Sequence, residues 1–122
     1  TRILQIKELD ETETVGYNRK GILNKKTRIA AIPIGYADGL SRAFGRGNGY
    51  VLVNNMKAPF VGNICMDVCM IDLTDINAEE GDEVTIFGDG LSINEVAQWL
   101  GTIPYEVLTS ISRRVRRIYY KE

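Results

Sequence analysis

Asp67 is a carboxylate in the middle of an apolar run, Ile64-Cys65-Met66-Asp67-Val68-Cys69-Met70-Ile71-Asp72-Leu73. Read as a strand, that run has two apolar faces, Ile64, Met66, Val68 and Met70 on one and Cys65, Cys69, Ile71 and Leu73 on the other. A charge there is costly unless paired or hydrogen-bonded, so Asp67 is either a structural anchor or part of a site. Tyr36, in Gly35-Tyr36-Ala37-Asp38-Gly39, stands where a strand meets a turn, a place that often carries function. A tyrosine beside a turn is nonetheless more commonly half-buried packing. Tyr105 follows Pro104 at a helix start, where backbone amides suit an anion, although a core-facing tyrosine is the plainer reading. Tyr17 lies in the polar stretch from Glu11 to Gly21, which by composition is a surface loop.

The two cysteines, Cys65 and Cys69, fall in the same run. On a strand, four residues span about 13 Å, and a disulfide needs Cα atoms within roughly 7 Å, so the pair is expected to be unbridged. With no histidine in the chain, a zinc site would lack half of its usual ligands, and no metal is expected. Small thiols in a reducing compartment are the reading that remains. Gly45-Arg46-Gly47-Asn48-Gly49 is not a phosphate loop, because its spacing is wrong and a strand follows; it reads as a flexible hairpin loop. Arg113, Arg114, Arg116 and Arg117 form a basic cluster without interleaved stacking aromatics, which suits a solvated or interface face.

The elements that would carry these groups are mostly short strands. Ile3 to Ile6, Arg28 to Ile34, Tyr50 to Val53, Ala58 to Val61, Ile64 to Leu73 and Glu83 to Phe87 alternate with turn signals at Asn54-Asn55 and Gly81-Asp82. This spacing predicts a mainly β fold, a small β-barrel or sandwich-like domain. Ser92 and Glu95 form a capping-box pattern ahead of Val96, Ala97, Trp99 and Leu100, with Gly101 as the stop. Pro104 starts a second helix carrying Tyr105, Val107, Leu108 and Ile111. The tail from Val115 to Tyr120 extends that helix or forms a last strand, and Tyr119-Tyr120 favours the strand.

The chain, 122 residues long, suits a single domain over 1–122. Lys and Arg number 15 against 16 Asp and Glu, a net charge of −1 that argues against a general affinity for nucleic acid or an anionic membrane. No apolar run approaches the roughly 20 residues of a membrane helix, and Arg2 to Glu13 lacks the apolar stretch of a signal peptide. Entering on a strand-like pattern at Thr1, the chain is expected to be a piece of something longer.

Several of these segments, in order, resemble one family. Ile32 to Gly39 is similar to the "PIGYADG" segment of alanine racemases, and Ala58 to Asp67 to their "APIVGRICMD" segment. Gly81-Asp82-Glu83-Val84 matches "GDEV", Ile103 to Val107 resembles "INYEV", and Arg114 to Tyr119 resembles the "RVPRVY" ending. The resemblance covers nearly the whole chain. It implies a β-rich C-terminal domain that follows a barrel absent from this chain, with pyridoxal 5'-phosphate held covalently on a lysine of that barrel. It also implies a cytoplasmic head-to-tail homodimer in which the barrel of the partner subunit meets this domain. The substrate would be alanine, and its interconverted enantiomers would serve peptidoglycan synthesis. Two bases would act on opposite faces of the substrate.

By that resemblance Tyr17, in Val15-Gly16-Tyr17-Asn18, is the second base. A phenol with an ordinary pKa near 10 needs help to act near neutral pH, and the family's helpers come from the barrel. Met66, through its backbone amide, resembles the donor to the substrate carboxylate, with Asp67 beside it. Tyr105 resembles the tyrosine that binds the cofactor phosphate, and Tyr36 the one that narrows the substrate entrance. Arg42, Asn63 and Ile103 fall along the entrance corridor. Asn63 stands where many relatives have arginine, and Arg116 replaces the usual proline. These departures resemble a branch fused behind a peptidoglycan ligase. Two other readings stay open at this point: a racemase for serine or lysine, and a non-catalytic β-barrel binding module.

Overall fold

The computed structural model describes residues 1–9, 14–15, 21–22 and 27–119. In chain order its strands are β1 (Gln5–Leu9), β2 (Thr14–Val15), β3 (Gly21–Ile22), β4 (Thr27–Ile32), β5 (Tyr50–Val53), β6 (Met56–Val61), β7 (Cys69–Asp72) and β8 (Val84–Thr85). Two helices follow, α1 (Ile93–Trp99) and α2 (Pro104–Thr109), and short 3-10 turns occupy Tyr36–Asp38 and Arg42–Phe44. Among the described residues β2 and β3 pair with each other, while the rest form one six-stranded sheet in the order β1-β4-β7-β6-β5-β8. Every pairing in it is antiparallel. The mainly β fold with two short helices expected from the sequence is the one observed. The six-stranded sheet is curled into a half-barrel.

The curl is laced at its seam by the start of the chain. Arg2 forms an antiparallel bridge with Glu83 next to β8, and the Ile3 amide donates to the Asp82 carbonyl at 2.9 Å. The Gly81 amide returns a bond to the Ile3 carbonyl at 2.9 Å. The Leu4 amide then donates to Ala31, and the same run continues as β1 along β4. One stretch therefore touches both ends of the strand order and satisfies edge groups that would otherwise be exposed.

Period-two alternation puts Ala58 and Phe60 of β6 inside and leaves Lys57 and Pro59 outside. Cys69 and Ile71 of β7 point inward as well, with Ala30 and Ile32 of β4 and Val51 and Val53 of β5 beside them. Between β5 and β6, Asn54 and Asn55 both adopt positive φ, 51° and 64°, matching a tight hairpin turn whose twist suits the strands. The end of the sheet is closed by α1. Trp99 meets Phe44 edge-on at 5.8 Å and Tyr50 at 4.7 Å, and Phe44 stacks on Phe60 at 6.0 Å.

The structure corrects several expectations. β7 covers only the second half of the run from Ile64 to Leu73, because Cys65 to Val68 is a turn, closed by the Cys65 amide donating to the Val68 carbonyl at 3.1 Å. Asp67 thus leaves the sheet. Ser92 does cap α1, accepting from the Asn94 amide at 3.1 Å, but Glu95 does not complete a capping box. Its carboxylate instead accepts the Tyr50 hydroxyl at 2.9 Å and so ties α1 to β5. Gly101 stops α1 at φ 66°, with Gly101 and Thr102 amides closing back on Gln98 and Ala97. The segment from Gly45 to Gly49 is no hairpin loop, since β4 and β5 are not neighbours in the sheet. α2 ends at Thr109, and the tail from Val115 to Tyr119 is neither helix nor strand.

Candidate functional site

Three loops meet at one end of the sheet. The first leaves β4 through Gly35 and Tyr36, the second is the turn around Met66 and Asp67, and the third follows α2 from Ser110 to Arg114. The Tyr36 amide donates to the Cys65 carbonyl at 2.9 Å and the Ala37 amide to the Met66 carbonyl at 3.0 Å. This close approach requires glycine at position 35, where a Cβ would lie 2.1 Å from the Cys65 oxygen and 2.4 Å from the Met66 oxygen. On the other side, the Ser112 amide donates to the Asp38 carbonyl at 3.0 Å. A Cβ on Gly39 would meet the Ser110 oxygen at 2.3 Å.

A single guanidinium joins all three loops. Arg114 donates from Nε to Asp38 Oδ1 at 2.6 Å and from Nη2 to Asp67 Oδ1 at 2.5 Å. The second oxygen of Asp38 accepts the Gly35 amide at 2.9 Å, so this carboxylate also holds the neck of the Tyr36 loop. The hydrogen bond from Arg114 keeps the Asp38 carboxyl below its ordinary range, assisted by Gly35 and opposed by burial. The same two carboxylates, Asp38 first, hold the Arg114 guanidinium above its ordinary value.

A second contact extends this belt. The Arg46 amide donates to the Gly62 carbonyl at 2.7 Å, and Arg46 Nε reaches Asn63 Oδ1 at 3.4 Å. Asn63 is buried, and Arg42 stands exposed at the start of the 3-10 turn leading to Arg46. Tyr36, Met66 and Asp67 are exposed beside them, Met66 at 51%. The Met66 carbonyl is used by Ala37, but among the described residues the Met66 and Asp67 amides find no acceptor.

Tyr36, Asp38 and Gly39 also form one wall of an open groove of about 1150 Å³, with Glu106, Val107, Ser110 and Ile111 on another side. Tyr105 is not a core residue: it is 76% exposed at the second position of α2, whose buried side is Val107. Ile103, the residue before α2, is exposed too. Neither lines the groove.

Of the residues singled out in the sequence, Tyr36, Asn63, Met66 and Asp67 share this belt, with Arg42 next to it. Tyr105 and Ile103 belong to the neighbouring helix. Tyr17 lies outside the described residues. Arg114 was legible only as one member of a basic cluster, and Asp38 only as a turn residue. The signal that could have found their contact was two carboxylates at turns with a nearby arginine run to neutralise them. Cys65 and Cys69 are unbridged, and burial pushes the Cys69 thiol up to about 12. Among the described residues no cluster of His, Cys, Asp or Glu is placed to hold a metal ion, and no helix is long and apolar enough to cross a membrane.

Comparison with known proteins adds a family to this geometry. The family described as alanine racemase, C-terminal domain, matches residues 1–119. An alanine racemase of Helicobacter pylori strain J99 is 43% identical over 122 residues, covering 97% of this chain and 32% of the relative. One from Clostridium kluyveri is 46% identical over 124 residues, covering 98% of this chain and 32% of the relative. Among solved structures, alanine racemase from Bartonella henselae with covalently bound pyridoxal phosphate superposes with a TM-score of 0.93 at 36% identity, over 98% of this chain and 34% of that one. The Bacillus anthracis alanine racemase with bound L-Ala-P gives 0.92 at 38%, over 99% and 32%. The chain thus spans about a third of the length of the relatives it matches.

Proposed function

The chain belongs to the alanine racemase C-terminal domain family, and we propose that it forms one wall of an alanine racemase active site. The observation that carries this reading is the turn at Met66. Its carbonyl is fixed by the Ala37 amide, while its own N–H finds no acceptor among the described residues and the residue itself is exposed. An N–H held in that way suits a substrate carboxylate, since donor orientation is set before the ligand arrives. Tyr36 then narrows the approach, with Arg42, Asn63 and Ile103 further out.

The described residues fit pyridoxal 5'-phosphate as one edge of its site and not as the whole. Tyr105 presents a phenol donor outward, suited to a phosphate oxygen. The lysine for the covalent link would come from a barrel in a longer protein. When bound, the cofactor supplies an electron sink for the α-carbon of the amino acid. Tyr17 is proposed to take or return the α-proton at its phenol oxygen, on the face opposite the barrel lysine.

A head-to-tail homodimer follows from this reading, in which the partner subunit's barrel covers the belt. So does a cytoplasmic setting, which the two unbridged thiols suit, and supply of D-alanine to peptidoglycan synthesis. Serine or lysine as substrate, or a binding role without catalysis, is not favoured, because the relatives named above are alanine racemases.

The test is alanine racemisation by the longer protein carrying this chain, compared with its Tyr17→Phe variant. The unmodified protein is expected to interconvert the enantiomers, and the variant to keep the cofactor's absorbance while losing turnover. A variant with normal turnover would remove Tyr17 from the mechanism, and an inactive unmodified protein would remove the whole reading.

A further inference from the structure

We propose that Arg114 is a positioning residue that sets the distance between the Tyr36 loop and the Met66 turn, and through it the place of the carboxylate-binding amide. This inference rests on the reading of Met66 given above. Asp67 is the immediate neighbour of Met66, and Asp38 closes the loop that carries Tyr36. Arg114 holds one oxygen of each carboxylate with two different nitrogens of the same planar group.

A guanidinium presents its donors in a fixed fork, so binding two carboxylates through Nε and Nη2 fixes the angle between them as well as their separation. A lysine ammonium at that place would neutralise charge without fixing the angle. An isolated exposed ion pair contributes little, and both partners of the Arg114–Asp67 contact are substantially exposed. What distinguishes this contact is that two carboxylates on separate loops share one cation. Removing it would leave them adjacent and unneutralised, and their repulsion would push the two loops apart.

Direct backbone bonds also join those loops, Tyr36 to Cys65 and Ala37 to Met66. These bonds report on the spacing that Arg114 is proposed to keep. The sheet pairing of β6 and β7 lies beyond them and provides an internal reference.

The first measurement is amide hydrogen exchange on the longer protein carrying this chain, comparing the unmodified protein with Arg114→Ala and Arg114→Lys. Protection at Tyr36 and Ala37 is expected to fall about tenfold in the alanine variant, and less in the lysine variant, with Ile71 unchanged. Unchanged protection at Tyr36 and Ala37, or an equal loss at Ile71, would overturn the proposal. The second measurement is kinetic, on the longer protein. Arg114→Ala is expected to raise KM for alanine about tenfold while kcat changes less, with partial return in Arg114→Lys. A fall in active fraction at unchanged KM would mark a merely structural residue and overturn the proposal. If the unmodified protein does not racemise alanine, the functional reading fails, and the exchange result still decides whether Arg114 sets the spacing.

Discussion

Gly35 and Met66 meet backbone to backbone, so that a methyl group on Gly35 would stand 2.4 Å from the Met66 carbonyl oxygen. The reason for glycine here is contact and not conformation, since its φ of −155° is ordinary extended backbone. Gly35→Ala is expected to cost about 2 kcal/mol, the scale of overpacking against atoms that cannot rotate away. Urea denaturation of the two proteins measures this directly, and an unchanged midpoint would show that the loop yields freely.

Asp38 makes stability depend on acid in a defined direction. Its carboxyl lies below the ordinary range when folded, so its contribution is complete above the unfolded value near pH 4 and is lost as pH falls through the folded one. Asp38→Asn is therefore expected to be less stable than the unmodified protein at pH 7, with the gap closing below about pH 4. Denaturation midpoints across that range test it; a gap that stays constant would mean the carboxylate charge is not what matters.

The two thiols are expected to differ in reactivity. At a pKa of about 12 the buried Cys69 has roughly one part in ten thousand as thiolate at pH 8, and the thiolate is the nucleophile. Iodoacetamide under native conditions should label Cys65, which is half-buried, and leave Cys69 intact until the protein is unfolded. Equal labelling read by mass spectrometry would contradict the burial of β7.

The turn between β5 and β6 offers a gain. Asn55 holds φ at 64°, a conformation that glycine adopts without a Cβ penalty. Asn55→Gly is expected to raise stability by about 0.5 kcal/mol. Asn54→Ala is expected to lose more than that, because the Asn54 side-chain amide also donates to the Asn77 carbonyl at 2.7 Å. Thermal unfolding of the pair gives both signs in one experiment.

Local patterns carried most of the fold. Tyr50 to Val53 was legible from its residue types, and the paired asparagines announced the turn that follows. Pro104 and Gly101 marked helix ends because each acts on its own backbone. Where distant partners decide, the local sequence is silent. Nothing near Asp67 in sequence reveals that the chain turns there, because the turn is held by the Tyr36 loop and by Arg114, both far along the chain. Glu95 matched a local cap, but a tyrosine on β5 claims its carboxylate. The proposed site residues rest on resemblance to family segments, whereas the ionic link between Asp38, Arg114 and Asp67 depends on the fold.

The lacing of residues 1–4 across the seam has a mechanical meaning. A polypeptide joined ahead of Thr1 would leave from a hydrogen-bonded ladder on β8, already committed in direction, and not from a slack tether. Its orientation relative to the Met66 turn would then be transmitted through the sheet itself, by way of β1 and β4 to β7.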